Sequence, residues 1–225
     1  LNSIENHDEH RLANVAVVDP RAPDLDEVTD EEWERAADLQ RACFAAAVTL
    51  PGIRTVYYGA ERGITRYGTG RVDGATDGRG LTPDGRTDPH ADVRPGGRQR
   101  AFVNWETYDG EHLAFYGRLI DRYHALDALH ADAAIEPLDL ETDAAVTCFV
   151  RTASGGADVD GPTSVLVCLN FEATPVEVDL PSGVDPTDLV GGAERRGSTV
   201  FVDTVGVFAL DGPLDGAAVV RGSSG

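Results

Sequence analysis

Five short apolar segments, separated by stretches that contain Gly, Pro or Asp, follow one another in the last third of the chain. They lie at 146–150, 164–170, 176–180, 199–202 and 206–210. Short runs rich in β-branched residues and separated by turn formers are typical of strands. Their spacing indicates two antiparallel sheets packed face to face. The sequence therefore predicts an antiparallel β-sandwich over residues 131–225, with the tail from Gly222 onwards frayed.

Residues 29–129 have a different pattern, in which helix and strand signals alternate. Thr29-Asp30-Glu31-Glu32 is a capping box, with Thr three residues ahead of Glu. Apolar residues at helical spacing follow it until Pro51-Gly52 ends the helix: Ala36, Leu39, Cys43, Phe44, Ala47 and Leu50. Residues 53–58 then predict a short buried strand, and 110–129 a second helix. This order of elements is typical of repeating β/α units.

The charge balance restricts the partners of the chain. Its 225 residues carry 39 acidic and 19 basic side chains, a formal net charge of −20, and every basic residue is arginine. Such a surface repels nucleic acid and anionic membranes, so neither is an expected partner. Self-repulsion of this size favours a halophile, in which molar salt screens it; an ordinary acidic protein from a GC-rich genome is the alternative.

Cysteine and hydropathy patterns bear on the compartment. Cys43, Cys148 and Cys168 lack metal-ligand spacing and indicate buried thiols, which favours the cytoplasm, although secretion stays open because no N-terminal leader can be judged here. No apolar run is long enough for a transmembrane helix.

Two sequence blocks suggest a chemistry. The first reads Asn6-His7-Asp8-Glu9-His10-Arg11, and the second runs over 50–61, from a Pro-Gly turn into Tyr57-Tyr58-Gly59-Ala60-Glu61. Together they resemble the fourth conserved region and the eighth barrel strand of the α-amylase family of glycoside hydrolases. Arg100 and Trp105 are similar to the segment that precedes the eighth helix of that family.

The resemblance implies a fold and a domain division. Residues 1–130 would be the C-terminal portion of a catalytic (β/α)8 TIM barrel, from the end of strand 7 to helix 8, followed by the sandwich at 131–225. Two β/α units cannot close a barrel of eight. We therefore expect a missing N-terminal portion, which would be a partner of this chain.

The resemblance also implies site residues for a retaining hydrolase of α-1,4-glucans. Asp8 would be the carboxylate that stabilises the oxocarbenium-like transition state, His7 a donor to the sugar in the reactive subsite, and Arg11 a support of the loop. The nucleophilic Asp and the acid Glu of the family have no counterpart. Glu5 and Glu9 point away from Asp8 by strand alternation, so the isolated chain is predicted to be inactive.

Alternative functions remain open at this point. A transglycosylase or branching enzyme of the same family shares the mechanism, and a non-catalytic carbohydrate-binding remnant would keep the motif without turnover. No cofactor or metal is expected in this chain, since Asp73, Asp77 and Asp84 do not match a calcium loop and the histidines are scattered. Calcium would belong to the missing portion.

Overall fold

The computed structural model describes residues 2–6, 12, 29–63, 110–141, 144–154, 162–172, 174–180, 184–196, 199–210 and 220–224. The chain forms two compact units. The first contains Leu1–Asn2, Ala42–Arg54 and Arg118–Gly225, and the second contains Ser3–Arg41 and Thr55–Gly117. Neither unit corresponds to one continuous stretch of sequence, because two helices each contribute residues to both.

Helix α1 (Asp30–Thr49) begins at the predicted capping box. The backbone N–H and the hydroxyl of Thr29 both donate to the Glu32 carboxylate, at 2.8 and 2.9 Å. In return, the backbone N–H of Glu32 donates to the Thr29 hydroxyl at 3.3 Å. The reciprocal bonds satisfy N–H groups that a helix start would otherwise leave unpaired. The helix ends just before Pro51, as the sequence predicts.

Helix α2 (Gly110–Ala125) is shorter than the predicted 110–129. Leu126 adopts an extended conformation, and a 3₁₀ turn at Asp127–Leu129 follows it. Phe115, Tyr116 and Leu119 form the buried stripe of the helix. In the parts of the chain that the structure describes, no helix is both long and apolar enough to cross a bilayer.

The buried strand predicted at 53–58 is not found. Only a parallel bridge between Asn2 and Arg54 forms there, and Ile53 and Val56 are 71% and 42% exposed. An apolar run becomes a buried strand only when neighbouring strands pair with it and cover it. Among the described residues, the strand-type partner of this segment is Asn2. Helix α1 lies between Asn2 and Arg54 in the sequence. A helix that connects two parallel partners is the order of elements found in a βαβ unit. The barrel itself stays a prediction.

Ten strands form two sheets within the described residues. They are β1 (Ala134–Pro137), β2 (Leu140–Glu141), β3 (Val146–Thr152), β4 (Ser164–Asn170), β5 (Val176–Asp179), β6 (Val184–Asp188), β7 (Ala193–Arg196), β8 (Thr199–Val202), β9 (Val205–Leu210) and β10 (Val220–Ser224). One sheet has the order β1-β3-β4-β9-β6 and the other β2-β10-β5-β8-β7. All described pairings are antiparallel except that of β2 with β10. The predicted fraying after Gly222 is wrong, because β10 continues to Ser224.

The core of the sandwich lies between the sheets. One cluster joins Cys148, Leu166, Cys168 and Phe208 of the first sheet to Val176, Val178, Val200 and Val202 of the second. All of these side chains are at most 2% exposed. Burying each of them contributes roughly 1.5–3 kcal/mol relative to exposure. A β-sandwich in the C-terminal part of the chain is therefore confirmed, with one parallel pair in place of an all-antiparallel arrangement.

Candidate active site

The three predicted site residues, His7, Asp8 and Arg11, lie outside the residues that the structure describes, as do Arg100, Trp105 and the aspartates at 73, 77 and 84. Their predicted roles stay predictions. The structure does describe both flanks of the Asn-His-Asp segment, at 2–6 and at Leu12. It also describes the second block at 50–61, so the surroundings of the motif can be built from the residues upward.

Asn2, four residues ahead of the first block, contacts the turn that ends helix α1. Its backbone N–H donates to the Ile53 carbonyl at 2.7 Å. Its side-chain amide lies 3.2 Å from the Ala47 carbonyl and 3.0 Å from that of Pro51. Gly52 has φ +129°, which disfavours any residue with a side chain, and a Cβ there would stand only 3.1 Å from the Asn2 amide oxygen. The backbone of Asn2 therefore lies close beside the start of the second block.

Glu5 is 1% exposed although it carries a carboxylate. The backbone N–H of Leu12, seven residues later, donates to that carboxylate at 2.8 Å, and the Ser3 hydroxyl donates to the Glu5 carbonyl at 2.6 Å. A charge-assisted bond of this kind is about twice as strong as a neutral one. Glu5 thus ties together the two ends of the segment that contains His7, Asp8 and Arg11.

The second block ends in a tight polar turn. Gly59 and Gly63 flank a 3₁₀ turn at Ala60–Arg62 with φ of +82° and +64°, values that favour glycine. The Ala60 carbonyl lies 3.2 Å from the imidazole Nε2 of His112, which is 1% exposed in helix α2. A ring nitrogen at this distance from a carbonyl is the donor. His112 therefore fixes the turn that follows Tyr57-Tyr58, and this contact of its imidazole is structural.

Glu61 contacts the residue next to it in this turn. Its carboxylate lies 3.6 Å from the guanidinium of Arg62. Among the described residues there is also no group of three or more His, Cys, Asp or Glu side chains that could hold a metal ion.

A groove of about 450 Å³ lies between helix α2 and the turn that connects β6 to β7. Its polar lining consists of Arg118, Asp121, Arg122 and Asp188. Asp188 is committed to the fold, because its carboxylate accepts four backbone N–H groups, from Val190, Gly192, Ala193 and Val207. No aromatic ring lines the groove, so it lacks the stacking surface on which a sugar ring usually packs.

Comparison with known proteins finds similarity in sequence and in fold. No family model matches the chain. The α-amylase MalA of Haloarcula japonica is 35% identical over 123 residues, which is 50% of this chain and 17% of that protein. In fold, the match to a pullulanase from Paenibacillus barengoltzii covers 92% of this chain and 29% of the pullulanase, at 18% identity and a TM-score of 0.54. The match to the pullulanase from Anoxybacillus sp. LM18-11 covers 93% of this chain and 27% of that pullulanase, at 17% identity and a TM-score of 0.54.

The chain thus shares the fold of part of these pullulanases. The sequence match goes one step further: over 123 residues the chain is similar to an α-amylase, and the resemblance recognised from its motifs is confirmed. The chain spans 17% of the length of the curated relative and less than a third of either pullulanase.

Sequence reasoning missed the residues that organise the site. It interpreted Glu5 only as a carboxylate that points away from Asp8, and it gave no role to Asn2. The signal for Glu5 was a charged residue next to the apolar Ile4, in a lead-in that also contains the polar Asn2 and Ser3. A carboxylate at such a position needs a buried partner, and that partner is a backbone N–H that no side-chain pattern reveals.

Proposed function

We propose that this chain is the C-terminal part of an α-amylase-type retaining glycoside hydrolase that acts on α-1,4-glucans. Asp8 is the carboxylate that stabilises the transition state, His7 donates to the sugar in the reactive subsite, and Arg11 supports the loop. A portion upstream of this chain supplies the nucleophilic Asp and the acid Glu. Adaptation to high salt accompanies this role.

The observation that carries the proposal is the bridge between Asn2 and Arg54. It is parallel, and helix α1 lies between its two sides in the sequence. Adjacent strands of a β/α barrel have this relation, and catalytic groups follow their C-terminal ends. The Asn-His-Asp segment begins four residues after Asn2, on its C-terminal side, and this order supports a catalytic position for it.

The chemistry of the motif supports the same role. Positive charge develops on the sugar ring as the glycosidic bond breaks, and a fixed carboxylate beside the ring lowers the energy of that state. A fixed position requires a rigid loop, and the bond from the Leu12 N–H to Glu5 closes the loop at its base. Glu5 is accordingly a positioning residue.

The substrate class is proposed by analogy. The Paenibacillus barengoltzii pullulanase was solved with maltotriose and, in a second structure, with maltotetraose. The relative matched in sequence is an α-amylase. Both point to α-glucans as the ligands to test. The high acidic excess and the Haloarcula relative support assays in molar KCl.

The proposal is tested in the complete reading frame, produced with whatever coding sequence precedes Leu1. Asp8→Asn should lower the release of reducing ends from maltooligosaccharides by at least about a hundredfold, the loss expected on removing one group that stabilises the transition state. Glu9→Gln, which removes the neighbouring charge, is the matched control and should retain activity. Equal losses in both variants, or full activity of Asp8→Asn, would refute the assignment.

The product pattern separates the remaining functions. Shorter maltooligosaccharides indicate hydrolysis, longer or branched products indicate glucan transfer, and binding without turnover indicates a carbohydrate-binding remnant. Residues 1–225 alone should bind weakly and turn over nothing, because the nucleophile and the acid are absent. Activity of this isolated chain would contradict the proposal that an upstream portion supplies the nucleophile and the acid.

A further inference from the structure

Two of the three cysteines stand directly opposite each other in the sandwich. Strands β3 and β4 pair antiparallel, and Cys148 is the register partner of Cys168. Both thiols are free, with the two side chains 2% and 0% exposed. Nothing in the proposed glycosidase role uses them.

The hydrogen-bond pattern shows which kind of pair this is. The N–H of Phe171 donates to the Ala145 carbonyl, so 145 and 171 form a hydrogen-bonded pair between these strands. Hydrogen-bonded and non-hydrogen-bonded pairs alternate along an antiparallel ladder. Counting inward by three pairs makes Cys148 and Cys168 a non-hydrogen-bonded pair. The neighbouring strands agree, because the Cys148 carbonyl accepts from Leu138, away from β4.

This pairing sets a distance suited to a disulfide. Directly opposite residues in a non-hydrogen-bonded pair have Cα atoms about 4.5 Å apart. Disulfides span Cα separations of about 4.4–6.8 Å, so the pair lies at the short end of the permitted range. The thiols already interact: a hydrogen bond to Cys148, together with burial, raises the pKa of Cys168 well above its usual value.

We propose that Cys148 and Cys168 are a cross-link site, which closes into a reversible disulfide between β3 and β4 in the presence of a small-molecule disulfide. One cysteine thiolate attacks the oxidant, forming a mixed disulfide and releasing one thiol. The second cysteine, as thiolate, attacks the protein sulfur of that mixed disulfide and releases the second thiol. The two cysteines lose two protons and two electrons, and the oxidant is reduced to two thiols.

The environment decides when the reaction occurs. In the closed sandwich the thiols are out of reach of any oxidant, and burial disfavours the thiolate that exchange requires. Exchange therefore takes place during folding or during opening of β3 from its neighbours.

The test uses the whole chain, unfolded in denaturant and refolded in molar KCl with oxidised and reduced glutathione. The remaining free thiols are then alkylated under denaturing conditions, and peptides are mapped by mass spectrometry. We expect one labelled cysteine, Cys43, and one linked peptide pair containing Cys148 and Cys168. Dithiothreitol should restore three labelled cysteines, and the oxidised form should melt several degrees above the reduced one.

Cys43 provides the matched control, since it lies in helix α1 and is half-buried. Cys43→Ser should leave the link intact, and Cys148→Val should abolish it while keeping an apolar core side chain. Three labelled cysteines after refolding in the oxidising buffer, or a link that includes Cys43, would overturn the proposal. A link that forms but lowers the melting temperature would overturn the claim that the sheet accommodates it.

Discussion

Arg151 places a full positive charge in the interior, with 0% of the residue exposed. Its guanidinium donates to four carbonyl oxygens: those of Thr49, His130, Ala133 and Ala134. Burial first, and the charge of Arg54 second, lower the pKa of Arg151 to about 10. The group is therefore still protonated at neutral pH, and its carbonyl partners stabilise the charge in place of water.

Arg54 reinforces the same end of helix α1. It donates to the carbonyls of Val48 and Leu129, at 2.9 and 2.7 Å, and to the Tyr123 hydroxyl at 2.9 Å. Its guanidinium also lies 4.0 Å from the centre of the Tyr123 ring. The last carbonyls of a helix carry partial negative charge. Two arginines there satisfy oxygens that the helix leaves unpaired.

Replacing Arg151 should therefore be severe. Arg151→Met keeps the bulk of the side chain but removes a donor from four carbonyls, of which those of Thr49 and Ala133 are bonded in the interior. We expect it to lower the free energy of unfolding by about 3–5 kcal/mol. Urea denaturation in KCl measures this. Arg196→Gln, which removes an exposed pair with Glu194 at 2.9 Å, is the control and should leave the midpoint unchanged. Similar shifts in both variants would contradict the role of Arg151.

At the level of elements, the start of helix α1 predicts a pH dependence. Bonds from the Thr29 backbone and then from its hydroxyl lower the pKa of Glu32 below 4.5. A carboxyl whose pKa is lower in the folded state stabilises the fold above its unfolded pKa, and this contribution is lost as the pH falls through the folded pKa. Glu32→Gln should therefore be less stable than the parent at neutral pH, with the difference fading in acid.

Urea midpoints at about pH 7 and about pH 3 check this sign. Glu31→Gln removes the same charge from the same helical turn and serves as the control; we expect its effect to vary less with pH. Thr29→Ala should cost about 1 kcal/mol, a typical value for an N-cap. A larger effect of Glu32→Gln in acid than at neutral pH would reverse the argument.

The elements that the sequence predicted are those whose pattern depends on burial. Strand β4 is buried along almost its whole length, and its apolar run was recognised at once. Strand β7 carries Ala-Glu-Arg-Arg with three exposed residues, and β1 is exposed throughout. These strands lie at sheet edges and are held by backbone pairing, so their sequences show no alternation of apolar and polar residues that would predict a strand. The prediction for residues 53–58 failed for the opposite reason. An apolar pattern predicts that a strand is buried, but it does not show which neighbouring elements would cover that strand.

The candidate site likewise has one part that the sequence predicts and one part that it does not. The chemistry proposed for it was predictable, because it rests on a local motif, Asn-His-Asp with a following Arg. Its supports were not, because the bond from the Leu12 N–H to Glu5 and the bridge from Asn2 to Arg54 join residues through backbone atoms. Side-chain patterns carry no signal for such contacts.

At the level of the whole molecule, the net charge of −20 dominates. Like charges repel most when the Debye length is long, and it falls from about 10 Å at 0.1 M salt to about 3 Å at 1 M. Raising KCl from about 0.1 M to about 2 M should increase the melting temperature, most steeply at the low end. Repeating the series near the sequence pI of 4.5 is the control, since the slope should nearly vanish there. An unchanged slope would show that charge screening is not the cause.

Strand β10 occupies an interior place in its sheet, with β2 on one side and β5 on the other. Both neighbours come earlier in the chain, so on the ribosome they are synthesised while the strand that joins them does not yet exist. Until Val220–Ser224 emerges from the exit tunnel, each presents an open edge to its surroundings. During synthesis the nascent protein is therefore at risk of mispairing along these two edges until β10 is available to join them.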